Sequence, residues 1–321
     1  MRKNRVSVFV SRLAVAVAAL LCAMVRLSAG TFTENFTADP LQNGWRIFGD
    51  TNLFQWNSTN HTLAVTWDSA QTTSYFYHPL GTILAAEDDF SLEFDLNLAD
   101  ASAELYGSEL AVGFLNTADA TSPTFSRASG TSPNVAEFDY FPPSLLDPSL
   151  DATLIDASNN FYFGFNTLLL NPGTVYHIHI SHLAGDPSLH GQVLTNGVLY
   201  ADLTNTYPSA IKDFRLDTIS ISSYQDDGFG DTMLAHGTVG NLVAVIPQPP
   251  VQNLAVSYSN PGWQVQFTDR TNWRFTLERS TNLFNWSDAS ATVPGVGNGL
   301  TLQDTNAPAD KAFYRVRAQR P

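Results

Sequence analysis

Cysteine is almost missing from this chain: 321 residues contain one, Cys22. An internal disulfide is therefore impossible, and so is a Cys-rich zinc module. Basic residues are scarce, with 16 Lys and Arg against 30 Asp and Glu and a formal net charge of −14. That balance argues against nucleic acid as a partner, because phosphate binding draws on Lys and Arg. Sustained helical periodicity is missing, and only Leu84–Asp88 suggests a single helical turn. No apolar run after residue 30 is long enough to cross a membrane. Gly-x-Ser-x-Gly, His-Glu-x-x-His and Walker-loop signatures are also absent, which removes the commonest hydrolase and nucleotide-binding readings. What remains is a chain with 44% hydrophobic residues. That is enough for one large domain, or one plus a small one.

The charge is unevenly placed. Residues 1–30 carry Arg2, Lys3, Arg5, Arg12 and Arg26 and no acid. The apolar stretch Leu13–Val25 and the small residues Ser28, Ala29 and Gly30 follow the basic start. This order predicts a cleaved secretory signal over 1–30, and Leu13–Val25 is short for a membrane anchor. Cys22 would leave with it, and the product is expected to be secreted or loosely surface-bound. Residues 31–246 hold 25 acids against Arg46, Arg127, Lys212 and Arg215. The acidity belongs to this segment.

Residues 31–246 read as strands. Apolar and polar residues alternate in Ser91–Leu98, Thr174–Ile180 and Leu216–Ser222, the pattern of half-buried strands. Asn43-Gly44, Asn171-Pro172-Gly173 and Asn196-Gly197 are turn signals, the last of them inside a two-residue hairpin. Many short strands in about 216 residues predict a large antiparallel jelly-roll β-sandwich. Pro247-Gln248-Pro249-Pro250 then breaks the pattern as a stiff linker. Residues 251–321 resume alternation in Trp263–Phe267, Phe275–Glu278 and Ala312–Ala318, predicting a second, small β-sandwich and an all-β fold throughout.

The most distinctive stretch is Asn134-Val135-Ala136-Glu137-Phe138-Asp139-Tyr140-Phe141, continued by Pro142-Pro143 and Asp147-Pro148-Ser149. On a strand, Glu137 and Asp139 share one face, and Phe138 and Tyr140 share the other. Carboxylates so placed suit a hard cation; equally, they suit the polar face of an acidic domain. The stretch resembles the metal-binding strand of legume lectins, within the concanavalin A-like lectin/glucanase superfamily. That pattern reads Val-Ala-Val-Glu-Phe-Asp-Thr-Phe, with Asp-Pro-Ser beginning eight residues after the first Asp. The resemblance covers roughly residues 85–165, with Phe90–Asp95 and Leu110–Leu115 as the preceding strands. It implies a concanavalin A-like sandwich and calcium as the cofactor. Glu137, Asp139 and Asp147 would be metal ligands, joined by the carbonyl of Phe141. The chain departs from the pattern at Pro143, where lectins have Asn, near Thr153-Leu154, where they have a ligating His, and near Ser108, where they have an Asp. Retaining glucanases of the same superfamily need a third acid where this chain has Pro142 or Phe141. The expectation is therefore a non-enzymatic protein binding a polysaccharide, a glycan or a cell-surface component. A divergent glycoside hydrolase and a structural or adhesive protein are the alternatives.

Weaker candidates are His177, His179 and His182, read as polar-face histidines, and Asp226–Asp231, read as a turn. The aromatics between Phe32 and Tyr77 suit exposed sugar-stacking platforms and core packing equally, and none is singled out. Sequons at Asn57 and Asn285 matter only in a glycosylating host. The C-terminal stretch Phe275–Asn282, Asn285-Trp286 and Phe313–Ala318 resembles a fibronectin type III module. The resemblance implies a spacer or attachment role.

Overall fold

A computed structural model describes residues 30–321 except 105–108, 162–163, 165, 204–212, 227–231, 260–261 and 309–310. All but the last residue of the expected leader, including Cys22, lies outside the described residues. Ser108 and most of Asp226–Asp231 do as well.

Two large sheets form a sandwich. Across the eight-stranded sheet run β13 (Val198–Asp202), β12 (His190–Thr195), β11 (Val175–His182), β6 (Phe90–Ala103), β15 (Met233–Val245), β4 (Thr62–Asp68) and β3 (Phe54–Asn57). The eighth strand, β1 (Thr31–Glu34), also pairs with β15. Across the seven-stranded sheet run β10 (Asn166–Thr167), β9 (Ser149–Ile155), β8 (Val135–Phe141), β7 (Leu110–Leu115), β14 (Leu216–Ser223), β5 (Ser74–Leu84) and β2 (Arg46–Phe48). Every strand pairing among the described residues is antiparallel. The all-β, two-sandwich expectation holds.

The alternation explains the burial. In β6, Phe90, Leu92, Phe94, Leu96 and Leu98 enter the core, while Ser91, Glu93, Asp95 and Asn97 lie on the other face. Opposite them, β8 contributes Ala136, Phe138 and Tyr140, and the Phe94 and Phe138 rings meet at 6.0 Å. Each large apolar side chain buried this way is worth about 1.5–3 kcal/mol. With no disulfide available, this core is what holds the sandwich. Phe36, Trp45, Phe54, Trp67 and Phe76 belong to it, which settles these five as core rather than exposed platforms.

Two local expectations have different outcomes. Asn196 and Gly197 both take positive φ, 51° and 74°, and close the β12–β13 hairpin. A two-residue turn with both φ positive favours this pair of residues. Leu84–Asp88, by contrast, forms no helix; β5 ends at Leu84 and the Asp88 N–H donates to Ala85 O in a turn. The described residues place a helical turn, α1 (Thr117–Ala120), elsewhere. The Asn116 side chain caps it by accepting from the Ala118 and Asp119 N–H groups.

The C-terminal residues form two small sheets. One contains β16 (Val251–Ser259), β17 (Gly262–Asp269) and β21 (Gly299–Asp304). The other contains β19 (Ser287–Asp288), β18 (Arg274–Ser280) and β20 (Val293–Pro294), with β22 (Phe313–Gln319) also on β18. Val265, Phe267, Trp273, Phe275, Leu277 and Leu302 make a separate core. Ile83 of the large sandwich packs against that core. Beside it, Asp88 accepts from Arg270 Nη2 at 2.6 Å and from Arg320 Nη1 at 2.5 Å. Arg320 also donates to Ile83 O at 3.0 Å and to Glu87 at 2.9 Å. Burial raises the Glu87 carboxyl, but the Arg320 hydrogen bond, a backbone hydrogen bond and the nearby guanidinium charges together outweigh it and the net shift is downward.

Candidate functional site

One face of the seven-stranded sheet feeds the core. On its other face, cross-strand register makes two rows. Thr153, Glu137, Gly113, Ser220 and Tyr77 form one row, and Asp151, Asp139, Ala111, Ser222 and Tyr75 form the next. Glu137 and Asp139 thus share a face, as their spacing requires. Gly113 matters here because a Cβ at that position would lie 2.4 Å from Glu137 Cα. Only glycine lets β8 come this close.

The face is not open. Ala120 of α1, Phe125 and Tyr224 pack over it with Tyr75, Ala111 and Leu115. The same covering segment carries Arg127 at the start of a turn, where the Gly130 N–H donates to Arg127 O and Ser126 bridges Thr131. Arg127 therefore points down onto the acids. Its Nε lies 3.1 Å from Glu109 and 3.0 Å from Glu137, and its Nη2 lies 3.0 Å from Asp139. The Arg127 side chain is 4% exposed, and those of Glu137 and Asp139 are fully buried. Tyr224 donates to Glu137 Oε2 at 2.7 Å, and Thr153 donates to Asp139 Oδ2.

One guanidinium cannot balance three carboxylates in a dry site. Burial is the main cause that pushes the Glu137 carboxyl up to about 7, against the downward pull of Arg127 and Tyr224. Burial and then the neighbouring Glu137 hold Asp139 well above the usual carboxylate range. Burial, with the Glu137 charge added, likewise raises Tyr224 and Tyr75. The folded state thus keeps a proton on Glu137 that the unfolded chain, with an ordinary value of 4.5, has already released. This group's stabilising contribution is complete below about 4.5 and is lost as the pH rises through about 7. Melting temperatures of the full chain should therefore fall between pH 5 and pH 8, and Glu137→Gln should flatten that slope. Equal slopes in the two proteins would show that Glu137 does not titrate in this way.

The four residues expected to hold calcium do not meet as one ligand set. Glu137 and Asp139 face Arg127, Phe141 is half-buried at the end of β8, and Asp147 is exposed on the turn before β9. Among the described residues no group of three His, Cys, Asp or Glu side chains is placed to hold a metal ion. The donor set does not fit the cation; a guanidinium sits on its two buried members instead. Neither Arg127 nor its partners Glu109 and Tyr224 was singled out from the sequence. A usable signal was present, since Arg127 is one of four bases among 25 acids in residues 31–246.

The histidines separate. His177 and His179 stand on the outer face of β11, where register sets them opposite Asp95 and Glu93 of β6. His177 Nδ1 lies 2.9 Å from Asp95. No acid stands beside them in sequence; strand pairing supplies it. Burial lowers the His179 pKa, partly offset by Glu93. His182 turns inward, bonding to the carbonyls of Asp88 and Asp186 and stacking on Phe90.

Several solved structures are similar in fold at low identity. Lectin II from Ulex europaeus is 13% identical with a TM-score of 0.44, covering 68% of this chain and 98% of that chain. An alginate lyase is 11% identical with a TM-score of 0.38, covering 68% and 97%. A sialidase is 11% identical with a TM-score of 0.42, covering 67% of this chain, which spans only 18% of the sialidase's length. No family model and no curated protein matches the chain.

Proposed function

We propose that the mature chain is a secreted protein that binds a glycan and does not cleave it. One observation carries the second half of that statement: Arg127 and Tyr224 engage Glu137, Arg127 and Thr153 engage Asp139 Oδ2, and both acids are out of solvent. Retaining glycoside hydrolysis needs two carboxyl groups flanking the scissile bond, with room for the sugar between them. The covered face leaves no such room. The glycan half is supported by the lectin-like acidic strand, which lies on the outer face of a sandwich sheet with Phe138 and Tyr140 packed in the core.

In this reading Arg127 takes the cation's place, and calcium is dispensable. Glycan-array and calorimetric binding of the full chain should be the same with calcium and with EDTA. Loss of binding in EDTA would restore the calcium reading, and absence of binding in both conditions would end the glycan reading. Reducing-sugar release that disappears in Glu137→Gln would replace it with a hydrolase. The C-terminal module serves as an attachment unit, in keeping with its resemblance to fibronectin type III.

A further inference from the structure

The outer face of the eight-stranded sheet contains a groove of about 410 Å³ across β3, β4, β15 and β6. That volume lies within the roughly 300–1,000 Å³ of small-molecule sites. Its polar lining is Asn52, Gln55, Thr66, Asn97, Thr238 and His236. Register explains the convergence: Gln55 pairs with Ala64, Ala64 with Thr238, and Thr238 with Asn97. The small side chain of Ala64 lets the centre of that row sink. A bulge at His236/Gly237 re-aims the neighbouring side chains, and a Cβ at Gly237 would lie 2.6 Å from the Asn97 carbonyl. Asn97 Oδ1 is buried and has no hydrogen-bond partner among the described residues. His236 Nδ1 is engaged by Asp100 at 2.7 Å, which orients the ring and leaves Nε2 to face a ligand.

We propose that this groove seats an uncharged sugar ring. Amide and hydroxyl side chains match the paired donors and acceptors of sugar hydroxyls. Ala64 gives an apolar floor for the C–H face of a ring. Among the described residues the lining has no Lys or Arg. Glu93, Asp95 and Asp100 stand on the same sheet face. A uronate or sulfated sugar therefore finds no counter-charge and meets repulsion.

The inference rests on the glycan-binding reading, and one experiment separates the two. The full chain is titrated calorimetrically with cellohexaose, laminarihexaose, mannohexaose and xylohexaose, and with trigalacturonate as the anionic probe. The expected result is binding of at least one neutral oligosaccharide, with trigalacturonate weaker. Gln55→Ala/Asn97→Ala should weaken that binding at least tenfold, and Thr238→Trp should abolish it, with melting temperatures unchanged. Wild-type binding that both variants retain would overturn the groove and leave the glycan reading standing. Tighter binding of trigalacturonate would overturn the neutral-sugar assignment. A wild-type chain that binds none of the panel would overturn both.

Discussion

Replacing Arg127 with methionine is expected to cost about 3–5 kcal/mol of stability at pH 8, the usual penalty for removing one partner of a buried ion pair. The expected cost is smaller at pH 5. The raised pKa of Glu137 is the reason: at pH 5 that carboxyl already carries its proton, so loss of the guanidinium strands less charge. Chemical denaturation of the full chain at both pH values measures this. Arg127→Met/Glu137→Gln/Asp139→Asn should recover much of the loss, because it removes the charges along with their partner. A penalty that is equal at the two pH values, or no recovery in the triple variant, would mean that Arg127 acts through packing alone. Its contact with the Tyr224 ring, 5.6 Å from the centroid, is the packing alternative that the triple variant tests.

Loss of Asp88 is the second large effect. Its side chain is 2% exposed and receives Arg320, itself 3% exposed, and Arg270. It also accepts from the Ala85 N–H of its own turn. Asp88→Ala removes the buried carboxylate that Arg270 and Arg320 share at the junction of the large sandwich and the C-terminal sheets, at an expected cost of about 3–5 kcal/mol. Scanning calorimetry should show the C-terminal sheets unfolding earlier than in the wild type and as a separate peak. Arg320→Ala should come closer to this result than Arg270→Ala. Arg320 is more buried and also holds Ile83 O and Glu87, whereas Arg270 is 19% exposed. A single unshifted peak in Asp88→Ala would show that Ile83 and its apolar contacts join the parts without help from the ion pairs.

Most of the fold was legible in the sequence because half-buried strands alternate with period two. Ser91–Leu98, Thr174–Ile180 and Leu216–Ser222 fall within or at the ends of β6, β11 and β14, and Asn196-Gly197 sits at its hairpin. Local chemistry was misread at Leu84–Asp88. Apolar residues there allowed a helical turn, but Ile83 and Asp88 are committed to the C-terminal sheets. Of the site, the shared face of Glu137 and Asp139 was legible, since it follows from strand geometry alone. Their partners were not. Arg127 reaches them from a loop, and Tyr224 reaches Glu137 from 87 residues away.

Composition and alternation were enough to determine an acidic, disulfide-free chain of two β-sandwiches with a pair of carboxylates on one strand face. Whether that pair met solvent, a metal or another side chain depended on which distant segment packed over the sheet. The outcome, a buried guanidinium, was decided by tertiary packing: burial makes an unpaired charge costly, and a partner supplied by the chain itself meets that cost. The same physics set Asp88 between Arg270 and Arg320, a contact spanning 232 residues that no local pattern announces.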